Sequence, residues 1–92
     1  MRDIMNLYIS QIVLLPFTEQ GYEGLVPCDG RFLSAIEFKE LYELISDRYG
    51  GSTKQNLHNE PPVYYFAVPS LVSPLKEYSY YICVNGIYPQ FK

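Results

Sequence analysis

Residues 33–51 read LSAIEFKELYELISDRYGG, and this stretch contains the clearest secondary-structure signal in the chain. Ser34 begins an S-x-x-E capping box, in which its hydroxyl accepts a hydrogen bond from the amide of Glu37 and the Glu37 carboxylate accepts one in return. Apolar residues then recur at helical spacing, which predicts one amphipathic helix over about residues 35–48. The glycine pair at 50–51 predicts its end, because glycine adopts the left-handed conformation without steric cost.

The two faces of this predicted helix differ in polarity. The buried face carries Phe38, Leu41, Tyr42, Ile45 and Tyr49, and the opposite face carries Glu37, Lys39, Glu40, Glu43 and Asp47. A solvated acidic face explains the carboxylates better than a general acid–base pair, which requires burial to separate its pKa values.

Outward from the helix, three extended stretches predict a sheet. Residues 7–15 are apolar on both faces of a period-2 pattern, which predicts a strand covered on both sides. Residues 64–68 and 78–84 predict two more strands, whereas residues 17–30 and 52–62 are typical of turn-rich connections. The sequence therefore predicts a single domain over residues 1–92 with an α+β fold: a small mixed or antiparallel sheet with one capped helix packed on it.

Composition excludes several classes of function. The 92 residues carry a formal net charge of −3, and only 18% are charged, against roughly 25% in ordinary soluble domains. An acidic chain without clustered Lys or Arg is a poor nucleic-acid partner. No apolar run reaches the roughly 18–20 residues that span a bilayer, and residues 12–15 lack the flanks of a signal peptide. We therefore expect neither nucleic-acid binding nor membrane insertion.

Residues suited to catalysis or metal binding are scarce. His58 is the only histidine, and Cys28 and Cys83 lie 55 residues apart without C-x-x-C or H-x-x-x-H spacing. We expect no metal, no cofactor and no catalytic site; a Cys28–His58 dyad lacks a third, orienting residue. For the cysteines, a Cys28–Cys83 disulfide and two separately buried thiols are both compatible with the sequence.

Tyrosine is unusually abundant, with ten copies in 92 residues. Tyr is enriched at subunit interfaces, because its ring is apolar and its hydroxyl is polar. Six tyrosines have no assured place in so small a core, and we predict subunit contacts for them: Tyr8, Tyr22, Tyr64, Tyr65, Tyr78 and Tyr80.

The order of several short motifs resembles the phage tail collar domain. Residues 24–34 read GLVPCDGRFLS, followed by the helix with LYELI, then YGG at 49–51 and FAVPSL at 66–71. The family typically has C-D-G-x-x-L-S, Y-G-G and F-x-[LV]-P-D-L in that order. The closing segment YICVNGIYP at 81–89 is also similar to that of the related microcystin-dependent-protein group.

This resemblance implies a fold more securely than an activity, because the shared motifs are mostly structural. Its motif residues here are Cys28, Asp29, Gly30, Tyr49, Gly50, Gly51 and Pro69. Here Ser70 replaces the family's usual Asp, and residues 72–78 stand in place of a longer distal insertion.

The resemblance, the small size and the tyrosines together predict a non-enzymatic structural subunit. We expect association with copies of itself, as a trimer or a filament, or with other fibre proteins, in a phage virion tail or a cell-surface assembly. The alternative is an adhesion module that binds host-surface glycan or polymer, for which Tyr22, Tyr64, Tyr65 and Tyr78 are the candidate residues.

Overall fold

The computed structural model describes residues 6–54 and 63–90, which form six strands and one short helix. In chain order these are β1 (Ile12–Pro16), β2 (Leu25–Pro27), β3 (Phe32–Ser34), α1 (Lys39–Ile45), β4 (Gly51–Lys54), β5 (Val63–Ala67) and β6 (Tyr78–Cys83). They make two antiparallel three-stranded sheets, ordered β1-β6-β2 and β3-β5-β4. The expected antiparallel strands and single helix are present, but the strands form two sheets and predominate over the helix.

The main core lies where these two sheets and the helix meet. Its buried members are Ile9, Cys28, Leu33, Leu41, Ile45, Phe66, Val68 and Ile82. On β6 the side chains alternate as predicted, because Tyr80 and Ile82 pack toward this core while Tyr81 and Cys83 occupy the other face. That other face is also covered: Tyr81 is 0% exposed, and the ring of Tyr22 meets it edge-on with centroids 5.2 Å apart.

A β-bulge precedes β1. The Ser10 N–H donates to the Cys83 carbonyl, and the Cys83 N–H donates to the Gln11 carbonyl. Ser10 and Gln11 therefore both lie opposite the single residue Cys83, which is the pattern of a β-bulge. Ser10 has a φ of 82° and occupies the third position of a turn closed by the Gln11 N–H and the Tyr8 carbonyl at 2.9 Å.

This bulge corrects the predicted strand over residues 7–15. The regular strand covers only Ile12–Pro16, because the turn interrupts the period-2 pattern. Ile9 is therefore buried in the main core and does not share a face with Val13.

The helix is also shorter than the predicted residues 35–48. The Ser34 hydroxyl accepts hydrogen bonds from the amides of Ile36 (3.2 Å) and Glu37 (3.4 Å), so the chain turns where the capping box predicted. Regular helix begins only at Lys39, because Phe38 has a φ of −117° and a ψ of 51°, outside the helical region.

The end of the helix is set by Ser46 and not by the glycine pair. Ser46 adopts a φ of 52° and a ψ of −146°, and its N–H donates the last helical hydrogen bond to Tyr42. Tyr49, predicted on the buried face, follows in an exposed turn. Tyr42 remains inward, with its ring 5.2 Å from that of Phe66.

The segments before β1 and after β6 are joined directly. The Ile9 N–H donates to the Ile87 carbonyl at 2.8 Å and the Ile87 N–H donates to the Leu7 carbonyl at 2.9 Å, around a parallel bridge between Tyr8 and Ile87. Gly86 permits this approach, because a Cβ there would overlap the Leu7 carbonyl oxygen and lie 2.8 Å from the Cys83 sulfur.

Candidate assembly surface

Backbone hydrogen bonds join the C-D-G motif at residues 28–30 to the V-P-S-L motif at residues 68–71. The Leu71 N–H donates to the Cys28 carbonyl at 2.9 Å and the Val68 N–H donates to the Arg31 carbonyl at 3.0 Å. Between these bonds the Gly30 N–H reaches the carbonyl of Pro69 at 3.3 Å. Residues 28–31 and 68–71 therefore join the end of β2 to the end of β5, which gives both motifs a structural role.

Asp29 shapes the first of these two segments. Its carboxylate accepts the backbone N–H of Arg31 at 3.1 Å and pairs with the Arg31 guanidinium through Nε and Nη2, the latter at 2.9 Å. These hydrogen bonds hold the pKa of the Asp29 carboxyl below its usual range. Gly30 follows with a φ of 82°, the left-handed region that suits glycine.

The two cysteines are buried and free. Burial, with the neighbouring Asp29 charge, raises the pKa of Cys28 to about 11, and burial also raises the pKa of Cys83. The Cys28 N–H donates to the Tyr80 carbonyl, so Cys28 lies opposite Tyr80 of β6. Tyr80 is three residues from Cys83 along that strand. Their side chains also lie on opposite faces, because side-chain direction alternates along a strand. His58, the other half of the dyad considered above, lies outside the described residues.

The Y-G-G motif turns the chain from the helix into β4. Gly50 has a φ of 126°, and its carbonyl accepts the N–H of Ala67 at 2.9 Å. A Cβ on Gly51 would overlap the hydroxyl of Tyr64, which donates to the Asp47 carboxylate at 3.0 Å. This hydrogen bond raises the pKa of Tyr64. The motif thus brings β4 close to the helix.

Of the six tyrosines predicted at an interface, two are exposed. Tyr8 is 52% exposed beside the joined chain segments, where it lines an open groove of about 460 Å³ with Ile87, Tyr88 and Pro89. Tyr78 is exposed at the first residue of β6, opposite Pro16. These two side chains are accessible to solvent.

The other four predicted tyrosines are half-buried within the domain. The Tyr22 hydroxyl donates to the Pro16 carbonyl at 2.6 Å, and Tyr64 packs 5.7 Å from Tyr42. Tyr80 packs against the main core, and Tyr65 is half-buried on the outer face of β5. Tyr22, Tyr64 and Tyr80 therefore have internal roles that the sequence did not reveal.

Most of the exposed apolar side chains were not predicted from the sequence. Those outside the tyrosines are Ile12, Phe17, Phe32, Ile36, Leu71, Val72, Leu75 and Ile87. Val72 is the extreme case at 91% exposed, in the segment between the two paired motifs and β6. The sequence signal was available, since residues 71–75 contain three large apolar side chains beside Pro74 and cannot follow a strand or helix period.

The outer edge of β1 is a second feature that the sequence did not reveal. The Phe17 N–H donates to the Glu77 carbonyl, and the Cys83 N–H donates to the Gln11 carbonyl. The backbone N–H and C=O groups of the odd-numbered residues in this stretch therefore point toward β6. The backbone N–H and C=O groups of Ile12 and Leu14 therefore point away from the sheet. Since β1 is the terminal strand of its sheet, no described strand pairs with them.

Residues 6–54 and 63–90 contain no group of three His, Cys, Asp or Glu side chains arranged to hold a metal ion. In the same residues no helix is long and apolar enough to cross a membrane.

Comparison with known proteins agrees with the motif arrangement. The family model for the phage tail collar domain matches residues 10–61, more than half of the chain. No curated protein and no solved structure matches the chain. The match includes β1, the C-D-G turn, the helix and the Y-G-G turn, and the chain belongs to the phage tail collar domain family. It is accordingly a structural component of the phage tail.

Proposed function

We propose that this chain is a non-enzymatic structural subunit that associates with copies of itself or with other fibre proteins of the phage tail. The observation that supports self-association is the large number of exposed apolar side chains compared with the number that are buried. Within residues 6–54 and 63–90, twelve large hydrophobic side chains are exposed, against eleven hydrophobic residues that are buried. Scattered apolar residues are normal on monomers, but exposure on this scale marks surfaces that another protein covers.

The exposed side chains concentrate at the sheet edges and connections. Phe17 and Tyr78 lie at one end of β1, and Tyr8 and Ile87 lie beyond its other end. A surface that runs along an edge strand suits contacts between neighbouring subunits, because backbone pairing and apolar burial then act together.

Sedimentation velocity over a range of protein concentrations tests self-association. We expect the mean sedimentation coefficient to rise with concentration as copies of the chain associate. A single monomeric species at the highest soluble concentration would overturn self-association. The family assignment would still hold, and other fibre proteins would then be the partners to examine.

A second candidate function is adhesion to glycan on the host surface. The groove lined by Tyr8 and Tyr88 favours it, because two exposed aromatic rings border an open cleft. The Tyr88 hydroxyl donates to the Glu43 carboxylate at 3.3 Å, which adds a hydrogen-bond acceptor nearby. Binding to a glycan array that Tyr8→Ala abolishes, with the fold preserved by circular dichroism, would support adhesion. An array without a hit would count against it.

A further inference from the structure

The outer edge of β1 has features that most natural edge strands avoid. Native sheets usually protect such edges with charged residues, especially Lys, or by covering them. The sequence from Ile4 to Thr18 contains no Asp, Glu, Lys or Arg. The outward N–H and C=O groups of Ile12 and Leu14 thus lie on an uncharged strand, and Ile12 is itself exposed.

Both ends of this edge are closed to further pairing. On one side the Ser10 N–H is already bonded to Cys83 within the bulge. On the other side Pro16 has no N–H, and its carbonyl accepts the Tyr22 hydroxyl. Only Ile12 and Leu14 therefore offer both a donor and an acceptor to an incoming strand.

We propose that β1 pairs antiparallel with β1 of a second copy, about a two-fold axis that passes beside Val13. Ile12 of each copy then faces Leu14 of the other, and the two pairs exchange four backbone hydrogen bonds. Moving the axis to Ile12 would bring Ser10 into a bonding position, where its N–H already donates to the Cys83 carbonyl. Moving it to Leu14 would bring in Pro16, which has no N–H and whose carbonyl already accepts the Tyr22 hydroxyl. This contact rests on the self-association proposed above and specifies the surface and register.

A second copy fits this edge better than an unrelated strand, because the edge is complementary to itself. The donor and acceptor of Ile12 match those of Leu14 under the two-fold axis, and neither strand carries a charge. Each copy has a formal net charge of −3, so copies repel each other in general. The β1 segments that meet in the contact carry no charge, so no like-charged side chains of these segments face each other across it.

Register-specific crosslinking tests the proposal directly. In the proposed pairing the two Val13 residues form a pair without hydrogen bonds, with Cα atoms about 4.5 Å apart, a distance that a disulfide spans. We expect Val13→Cys to form a covalent dimer when diamide is added. Gln11→Cys and Leu15→Cys should each remain monomeric on a denaturing gel, but should crosslink when mixed.

The wild-type chain is the control for this experiment, because both native cysteines are buried and should not react. Equal crosslinking of all three single variants would indicate random collision and overturn the register. Crosslinking of none of them, in a chain that self-associates by sedimentation, would place the contact elsewhere.

A proline substitution tests the backbone hydrogen bonds independently. Ile12→Pro removes an outward N–H that makes no hydrogen bond to residues 6–54 or 63–90, and prolines are tolerated on edge strands in that position. Ile12→Ala keeps the N–H and removes the side chain. We expect Ile12→Pro to raise the dimer dissociation constant at least tenfold over Ile12→Ala, while circular dichroism stays native. Equal dissociation constants would overturn the β1 contact, whereas a monomeric wild type would overturn self-association itself.

Discussion

Ser10 has a φ of 82°, a conformation in which the Cβ of an L-residue crowds its own backbone. The bulge and turn before β1 require that conformation, and glycine adopts it without this cost. We expect Ser10→Gly to raise the free energy of unfolding by about 1 kcal/mol in urea titrations.

Gly21 provides the matched control for that substitution. It has a φ of 73°, and a Cβ there would meet nothing within 4 Å, so Gly21→Ala changes the backbone energy alone. We expect Gly21→Ala to lower the free energy of unfolding by about 1 kcal/mol. If Ser10→Gly were also destabilising, backbone strain at the bulge would not be the reason for its conformation.

Asp29 combines an ion pair with a turn, and two substitutions separate them. Asp29→Asn keeps an oxygen that accepts the Arg31 N–H but removes the charge, whereas Asp29→Ala removes both. Because the ion pair is half exposed, we expect Asp29→Asn to cost at most about 0.5 kcal/mol at pH 7, and Asp29→Ala to cost about 1 kcal/mol.

The contribution of Asp29 to the free energy of unfolding should decrease as the pH falls. Its pKa is lowered in the folded state, so the stabilisation is fully present above the unfolded pKa of about 4 and is lost as the pH falls through the folded pKa. The difference in unfolding free energy between wild type and Asp29→Asn should therefore shrink as the pH falls below about 4. A difference that is constant from pH 7 to pH 2 would contradict this assignment.

At the scale of secondary structure, Ser34 begins a turn that precedes the regular helix. Its hydroxyl accepts two amide hydrogen bonds, and the residue before Lys39 makes no side-chain cap of its own. We expect Ser34→Ala to lower the free energy of unfolding by about 1 kcal/mol, and Ser34→Thr to retain most of the stability. An unchanged free energy of unfolding in Ser34→Ala would show that these two hydrogen bonds do not stabilise the helix.

The same scale shows what the sequence can and cannot predict. The turn at Ser34 and the alternating faces of β6 followed from local patterns, because capping and period-2 burial are properties of adjacent residues. β2 and β3 have three residues each, and β4 follows a glycine, so none of them carries a readable period. Their pairing depends on contacts with distant strands, which only the folded chain reveals.

The exposed tyrosines and the outer edge of β1 could likewise be predicted only in part from the sequence. Tyrosine content predicts an interface, and two of the six predicted tyrosines, Tyr8 and Tyr78, are exposed. It did not distinguish them from Tyr22 and Tyr64, whose hydroxyls find partners within the domain. Nor could composition reveal the β1 edge, because which backbone groups point outward depends on the register with β6.

Across the whole molecule, the cysteines are the clearest test of the two-sheet arrangement. Three residues along a strand correspond to roughly 10 Å, beyond the span of a disulfide, and the two side chains lie on opposite faces. We expect alkylation under denaturing, non-reducing conditions to label two thiols, observed by mass spectrometry. In the native protein both should react slowly, because both are buried and have raised pKa values. An intact mass lower by two hydrogen atoms, with no labelled thiol, would contradict the packing of β2 on β6.

The parallel bridge between Tyr8 and Ile87 has a mechanical consequence. Tension applied at the two ends of the described chain pulls these segments past each other along their own direction. The two hydrogen bonds at 2.8 Å and 2.9 Å are therefore loaded together, in shear, and do not open one after the other. Gly86→Ala would separate the segments, and we expect it to lower the rupture force in single-molecule stretching. We therefore expect these two hydrogen bonds to bear such tension before the core strands do.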